Sequence, residues 1–152
     1  MSYLLNKDKK NLSYFSLEND TLHSIQSTQG VEISFYYKHI NKELQYIEIN
    51  IYAEMGKKVI ELFLDSSDNI LVKSTTSFYN KNIYEKNIKV LSKNIKIFPV
   101  CNSNQPSNLF YGVKEKNYVS MNKIIKEVKS LYYQNFKFHE KKSSNIKVYK
   151  KE

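Results

Sequence analysis

Between Val31 and Tyr79 apolar and polar side chains alternate with a period of two, in four successive runs. Val31, Ile33, Phe35 and Tyr37 are spaced by Glu32, Ser34, Tyr36 and Lys38; Ile47, Ile49 and Ile51 by Tyr46, Glu48, Asn50 and Tyr52. Ile60, Leu62 and Leu64 alternate with Glu61, Phe63 and Asp65, and the fourth run goes from Ile70 to Tyr79. Polar turn chemistry separates the runs: Asn41-Lys42, a turn containing Gly56, and Asp65-Ser66-Ser67-Asp68-Asn69. Side chains of a strand point to its two faces in turn, so this pattern predicts consecutive antiparallel strands, a meander. Two shorter strands are expected next, over Asn87–Leu91 and Asn94–Phe98, with Pro99 stopping the second.

The period then shifts to 3.6. Met121, Ile124, Ile125, Val128, Leu131 and Tyr132 form one apolar stripe, with Ser120 placed as its cap, which predicts an amphipathic helix. Phe136 and Phe138 alternate with Lys137 and His139, so extended structure is expected to resume there. Cys101–Asn108 reads as a polar loop and Leu109–Val113 as a short apolar piece. At the other end, Leu17, Leu22 and Ile25 suit a short N-terminal helix capped by Ser16; an extended edge segment is the alternative.

Together these elements predict one α+β domain over residues 1–152. It is an antiparallel meander of about 5–7 strands, strongly curved or barrel-like in one version, packed against a C-terminal amphipathic helix. Residues 140–152 are expected to be a loose basic tail or an edge strand. The sheet and the helix each need the other to cover an apolar face, which argues against a domain boundary.

Tyr36, Tyr46, Tyr52, Phe63 and Tyr79 complicate the picture, because they fall opposite the most apolar stripe or near strand ends. One reading covers both faces of the sheet; the other leaves an aromatic platform for a ligand.

Charge changes the picture more than overall composition does. All 24 basic residues are lysine, and the net charge is +9. Residues 1–80 carry 8 lysines against 10 acids, and residues 81–152 carry 16 against 5. The C-terminal half is therefore the basic one. Lys86, Lys89, Lys93 and Lys96 lie close together in sequence, and Lys123 and Lys126 occupy the polar side of the expected helix. These six are the candidate anion-binding face. Without arginine there is no bidentate fork for phosphate, carboxylate or guanine, so such a face would work through lysine point charges. Lys, Asn, Ile and Tyr have A/T-rich codons, so part of the bias reflects a low-GC genome.

The motifs that would carry chemistry are missing from the sequence. Gly30, Gly56 and Gly112 are the only glycines, too scattered for a phosphate-cradling loop or a nucleophile elbow. His23, His39 and His139 never approach within a helical turn of one another, and the single Cys101 excludes paired-cysteine zinc and redox motifs. Cys101 reads as a buried, inert thiol suited to a reducing compartment. No apolar run is long enough for a signal peptide or a membrane span, so the expected location is cytoplasmic, with leaderless secretion as the alternative. No catalytic residue, metal or cofactor is assigned.

The first functional expectation is a small non-enzymatic interaction or assembly protein of an A/T-rich bacterium or its mobile element, binding an acidic protein partner. A sequence-nonspecific nucleic-acid-binding module is the second, with lysines on phosphates and Tyr84, Phe98, Tyr118 and Tyr149 stacking on bases. A metal-independent nuclease toxin using a scattered histidine is the third. A small-ligand carrier lined by Ile49, Ile51 and Leu62 is the fourth.

Overall fold

A computed structural model of the chain describes residues 9–18, 22, 24, 25, 29–65, 69–100 and 115–141. After a 3₁₀ turn at Lys9–Asn11 come six strands: β1 (Ser13–Glu18), β2 (Val31–Tyr37), β3 (Leu44–Ala53), β4 (Gly56–Leu64), β5 (Ile70–Tyr79) and β6 (Val90–Val100). The long helix α1 (Glu115–Lys141) follows. The strands pair antiparallel in chain order, β1-β2-β3-β4-β5-β6, so the sheet is an open meander with β1 and β6 at its edges and not a closed barrel.

The register turns the sequence alternation into rows that cross the whole sheet. Phe15, Phe35, Ile47, Leu62, Val72 and Phe98 are successive partners from β1 to β6, and all of them are buried. The adjacent row runs Leu17, Ile33, Ile49, Ile60, Ser74, Lys96. It turns polar over the last two strands, so the core tapers towards the middle of β6.

Helix α1 covers this face. Met121, Ile124, Ile125, Val128 and Tyr132 are buried in the same cluster, and Leu131 and Phe136 pack against it. Tyr132 stacks on Phe15 at 5.9 Å between ring centroids, and its hydroxyl donates to the Lys42 carbonyl. Glu127 accepts from both the backbone N–H and the hydroxyl of Ser24, fixing the helix to the β1–β2 connection. Ile49 and Leu62, expected to line a carrier cavity, are fully buried in the core, and Ile51 packs against it.

Several boundaries differ from the sequence expectation. Ser13–Glu18 is an edge strand, the alternative to a helix there, because Phe15 and Leu17 alternate with Ser16 and Glu18 and Phe15 stacks on Phe35 across the pair at 5.0 Å; residues 19–21, 23 and 26–28 lie outside the described residues. Ser16, expected as a cap, instead shares a hydrogen bond with the Ser34 hydroxyl at 2.8 Å. One continuous strand replaces the two short ones after Asn87, and Pro99 lies within it opposite Leu71. An edge strand tolerates proline because one of its sides has no ladder to complete.

Helix α1 begins five residues before Ser120 and continues through Phe136, which meets Tyr132 at 4.6 Å and so prolongs the helical stripe. Cys101, the Cys101–Asn108 loop, Leu109–Val113, His23 and residues 142–152 lie outside the described residues. No described helix is long and apolar enough to cross a membrane.

Candidate functional site

Two surfaces carry features that the core does not require: the outer edge of β6, and the sheet face opposite α1.

Strand β6 pairs with β5 on one side only, and among the described residues no strand pairs with its other edge. Its first eight residues, Val90–Ile97, are all exposed, including Leu91 at 69% and Ile95 at 51%. Long edges that offer unpaired backbone and apolar side chains are templates for strand pairing, which proteins usually blunt with charge or proline. Here Lys93, Lys96 and Pro99 sit among Leu91, Ile95 and Ile97.

The six sequence-predicted lysines are all exposed, and none makes an ion pair among the described residues. They are spread over the β5–β6 connection, β6 and α1. Lys86 and Lys89 belong to the β5–β6 connection, which is tied down by Asn80 accepting from the Lys89 N–H at 2.8 Å and by Ile83 donating to the Glu54 carbonyl at 2.9 Å. Lys93 and Lys96 are three apart along one strand, so they point to opposite faces of the sheet. Lys123 and Lys126 lie on the solvent side of α1, away from its buried stripe.

Opposite α1, the register builds another row, Tyr14, Tyr36, Tyr46, Phe63, Leu71 and Pro99. Tyr46 and Phe63 are nearly inaccessible, so this part of the aromatic set is a second small core and not an exposed platform. The next row, Ser16, Ser34, Glu48, Glu61, Lys73 and Ile97, is polar up to β5 and turns apolar on β6. Lys73 pairs with Glu61 at 3.2 Å, and Lys9 approaches Glu48 at 3.6 Å. The Tyr46 hydroxyl lies 2.8 Å from Glu61 and 3.0 Å from Glu48. Burial, with the two carboxylates adding to it, pushes the Tyr46 phenol far above its usual range, so it stays a donor.

Burial also raises Glu48, but bonds from Asn50 and Tyr46 and the nearby Lys9 ammonium outweigh it and hold the carboxyl below its ordinary value. The Glu48–Glu61 pairing follows from the register of the β3–β4 hairpin. The bridging role of Tyr46, two residues from Glu48, carries no local sequence signal.

At the β1–β3 end this face hollows into a cavity of about 300 Å³. Lys9, Leu12, Tyr14 and Tyr36 form its walls, with Ser16, Ser34, Glu32 and Glu48 between them. Tyr14 and Tyr36 stack on each other at 5.4 Å. The Lys9 ammonium stands 4.1 Å from the Tyr46 ring centroid and 5.4 Å from that of Tyr36. Nothing in the sequence pattern drew attention to this place, because Lys9 lies outside the periodic segments.

His39 is exposed in the β2–β3 turn, where its Nδ1 lies 3.4 Å from the Ser13 hydroxyl, and among the described residues no carboxylate pairs with it. Among the described residues, no three His, Cys, Asp or Glu side chains gather as metal ligands. Compared with known proteins, the chain matches no family model, no curated protein and no solved structure.

Proposed function

We propose that this protein is a non-enzymatic interaction module that binds an acidic protein partner by adding one of the partner's strands to the outer edge of β6. The observation that carries the reading is an eleven-residue edge strand with exposed isoleucines and lysines beside a backbone edge that no strand among the described residues pairs with. Backbone pairing supplies affinity in strand addition, and alternate side chains supply selectivity. Lys93, Ile95 and Ile97 share one face of β6 and Lys96 the other. The complementary segment therefore sets a carboxylate against Lys93, apolar residues against Ile95 and Ile97, and a second carboxylate against Lys96. A second copy of β6 fits this edge poorly, because it would bring more lysines to a lysine-bearing strand.

The test is fluorescence anisotropy with a labelled glutamate–valine peptide of about ten residues, a typical long strand, built around Val-Glu-Val-Thr-Glu so that an antiparallel pairing sets Val, Glu, Val and Glu opposite Ile97, Lys96, Ile95 and Lys93. The controls are a lysine–valine peptide and a uridine oligonucleotide of matched length. The expected result is binding of the acidic peptide alone, weakened at least fivefold or so in Lys93→Glu/Lys96→Glu, since two exposed pairs contribute about 0.2–1 kcal/mol each before they become repulsive. Preferential binding of the oligonucleotide, with a log–log salt slope of about −0.7 per phosphate, would replace this reading with the nucleic-acid one. Binding of neither probe at low salt would remove it.

A further inference from the structure

The cavity opposite α1 has no part in strand addition at β6, and its chemistry is of a different kind. Its lining joins two carboxylates, Glu32 and Glu48, to the stacked rings of Tyr14 and Tyr36. Among the described residues the single cation in the lining is Lys9, and it already stands where a cation is favoured, over the Tyr46 and Tyr36 rings and 3.6 Å from Glu48. Glu32 accepts from the Tyr52 hydroxyl at 3.2 Å, and among the described residues it has no ion pair. Lys9 therefore leaves the described lining residues one negative charge in excess. Aromatic faces beside carboxylates are the recognised chemistry for ammonium groups. A volume of about 300 Å³ is enough for a small organic molecule and far too small for a macromolecular segment with side chains.

We infer that this cavity is a binding site for a small organic ammonium compound. Its charged nitrogen lies between Glu32 and Glu48 against the Tyr36 ring, and its apolar part lies along Leu12 and Tyr14. In the unliganded protein Lys9 supplies an internal ammonium to the same rings. The 3₁₀ turn that carries Lys9 lies just before β1, and the lysine side chain is 42% exposed, so it can swing out without disturbing the sheet.

An added ammonium should therefore compete with Lys9. The probe is choline, and its control is 3,3-dimethylbutan-1-ol, which has the same shape with carbon in place of the charged nitrogen. Chemical shifts of the full chain are followed by NMR during titration. Choline is expected to move the Tyr14, Tyr36 and Glu32 resonances saturably, and the neutral alcohol to leave them unchanged. Lys9→Gln should tighten choline binding by roughly threefold to tenfold by removing both the competitor and the like charge. Glu32→Gln should weaken it by a similar factor, with an unchanged melting temperature showing that the fold is intact. Equal binding of choline and the neutral alcohol would make this a plain apolar hollow. Absence of saturable shifts in the Lys9→Gln protein would overturn the inference outright.

Discussion

Glu48 and Glu61 stand directly opposite each other across β3 and β4, two carboxylates on one face with the Tyr46 hydroxyl between them. Like charges in facing positions normally destabilise a sheet. Here the phenol proton, Lys73 and Lys9 offset the repulsion. Tyr46→Phe keeps the ring packed on Phe63 and removes the proton. The expected cost is about 1–3 kcal/mol at pH 7, because two half-buried acceptors lose a donor. At a pH below Glu48's depressed value the cost should shrink, since its carboxyl proton can then bridge the pair in place of the phenol. Urea unfolding of both proteins at the two pH values measures this; an equal penalty at both would reduce Tyr46 to a packing residue.

The acid side of the stability profile follows from the same place. Glu48 is held below 4.5 in the folded protein, its burial being outweighed by Asn50, Tyr46 and Lys9. Glu43 is lowered too, chiefly by the hydrogen bond from Lys38 at 2.9 Å, but that pair is exposed and contributes little. A depressed carboxyl contributes stability that is complete above its unfolded value and is lost as the pH falls through its folded value. The melting temperature should therefore change little from pH 7 to 5 on account of these groups and drop below about 4.5. Glu48→Gln should flatten that drop, and a variant with an unaltered acid limb would show that Glu48 is not its source.

How much of this was legible in the chain depended on periodicity. Ile33, Ile49 and Ile60 announced their face because the alternation around them is clean, and Ile124, Ile125 and Val128 announced the helix. Phe15 was harder. Its strand spans only six residues, and Ser16 looks as natural at a helix start as in an edge strand. Phe136 and Phe138 imitate a strand pattern because two-residue spacing also occurs inside a helix, and only the packing of Phe136 on Tyr37 at 4.9 Å and Tyr132 at 4.6 Å decides between them. The lysines were visible as a charge imbalance. The division of Lys93 and Lys96 between the two faces of β6 follows from one continuous strand where two short ones are expected with Lys93 between them. The cavity beside Lys9 was out of reach, since no local pattern predicts which ring a lysine outside the periodic segments will find.

Gly56 has a steric reason for being glycine. A Cβ added there would lie 2.5 Å from the Ser77 carbonyl oxygen, a backbone atom of the neighbouring strand that cannot rotate away. Gly56→Ala should force β4 and β5 apart at the start of their pairing, where Tyr79 also donates to the Met55 carbonyl at 2.8 Å. A loss of about 1–3 kcal/mol is expected, in the range of overpacked sites. Thermal denaturation is the measurement, and a variant as stable as the parent would mean that the hairpin relaxes freely.

Two isoleucines on one sheet give the sharpest contrast between core and edge. Ile49 is fully buried at the centre of the meander, whereas Ile95 is half exposed on β6. Ile49→Asp buries a carboxylate with no partner, which costs several kcal/mol out of a typical total of about 5–15, so this variant should fail to fold cooperatively. Ile95→Asp places the same group in water and should stay within about 0.5 kcal/mol of the parent. It should nevertheless abolish binding of the glutamate–valine peptide, because it adds a negative charge and removes an apolar contact at the middle of the proposed edge. Circular dichroism melts and peptide titrations on the same samples separate the two effects. An Ile95→Asp protein that keeps both its stability and its peptide affinity would move the docking surface away from β6.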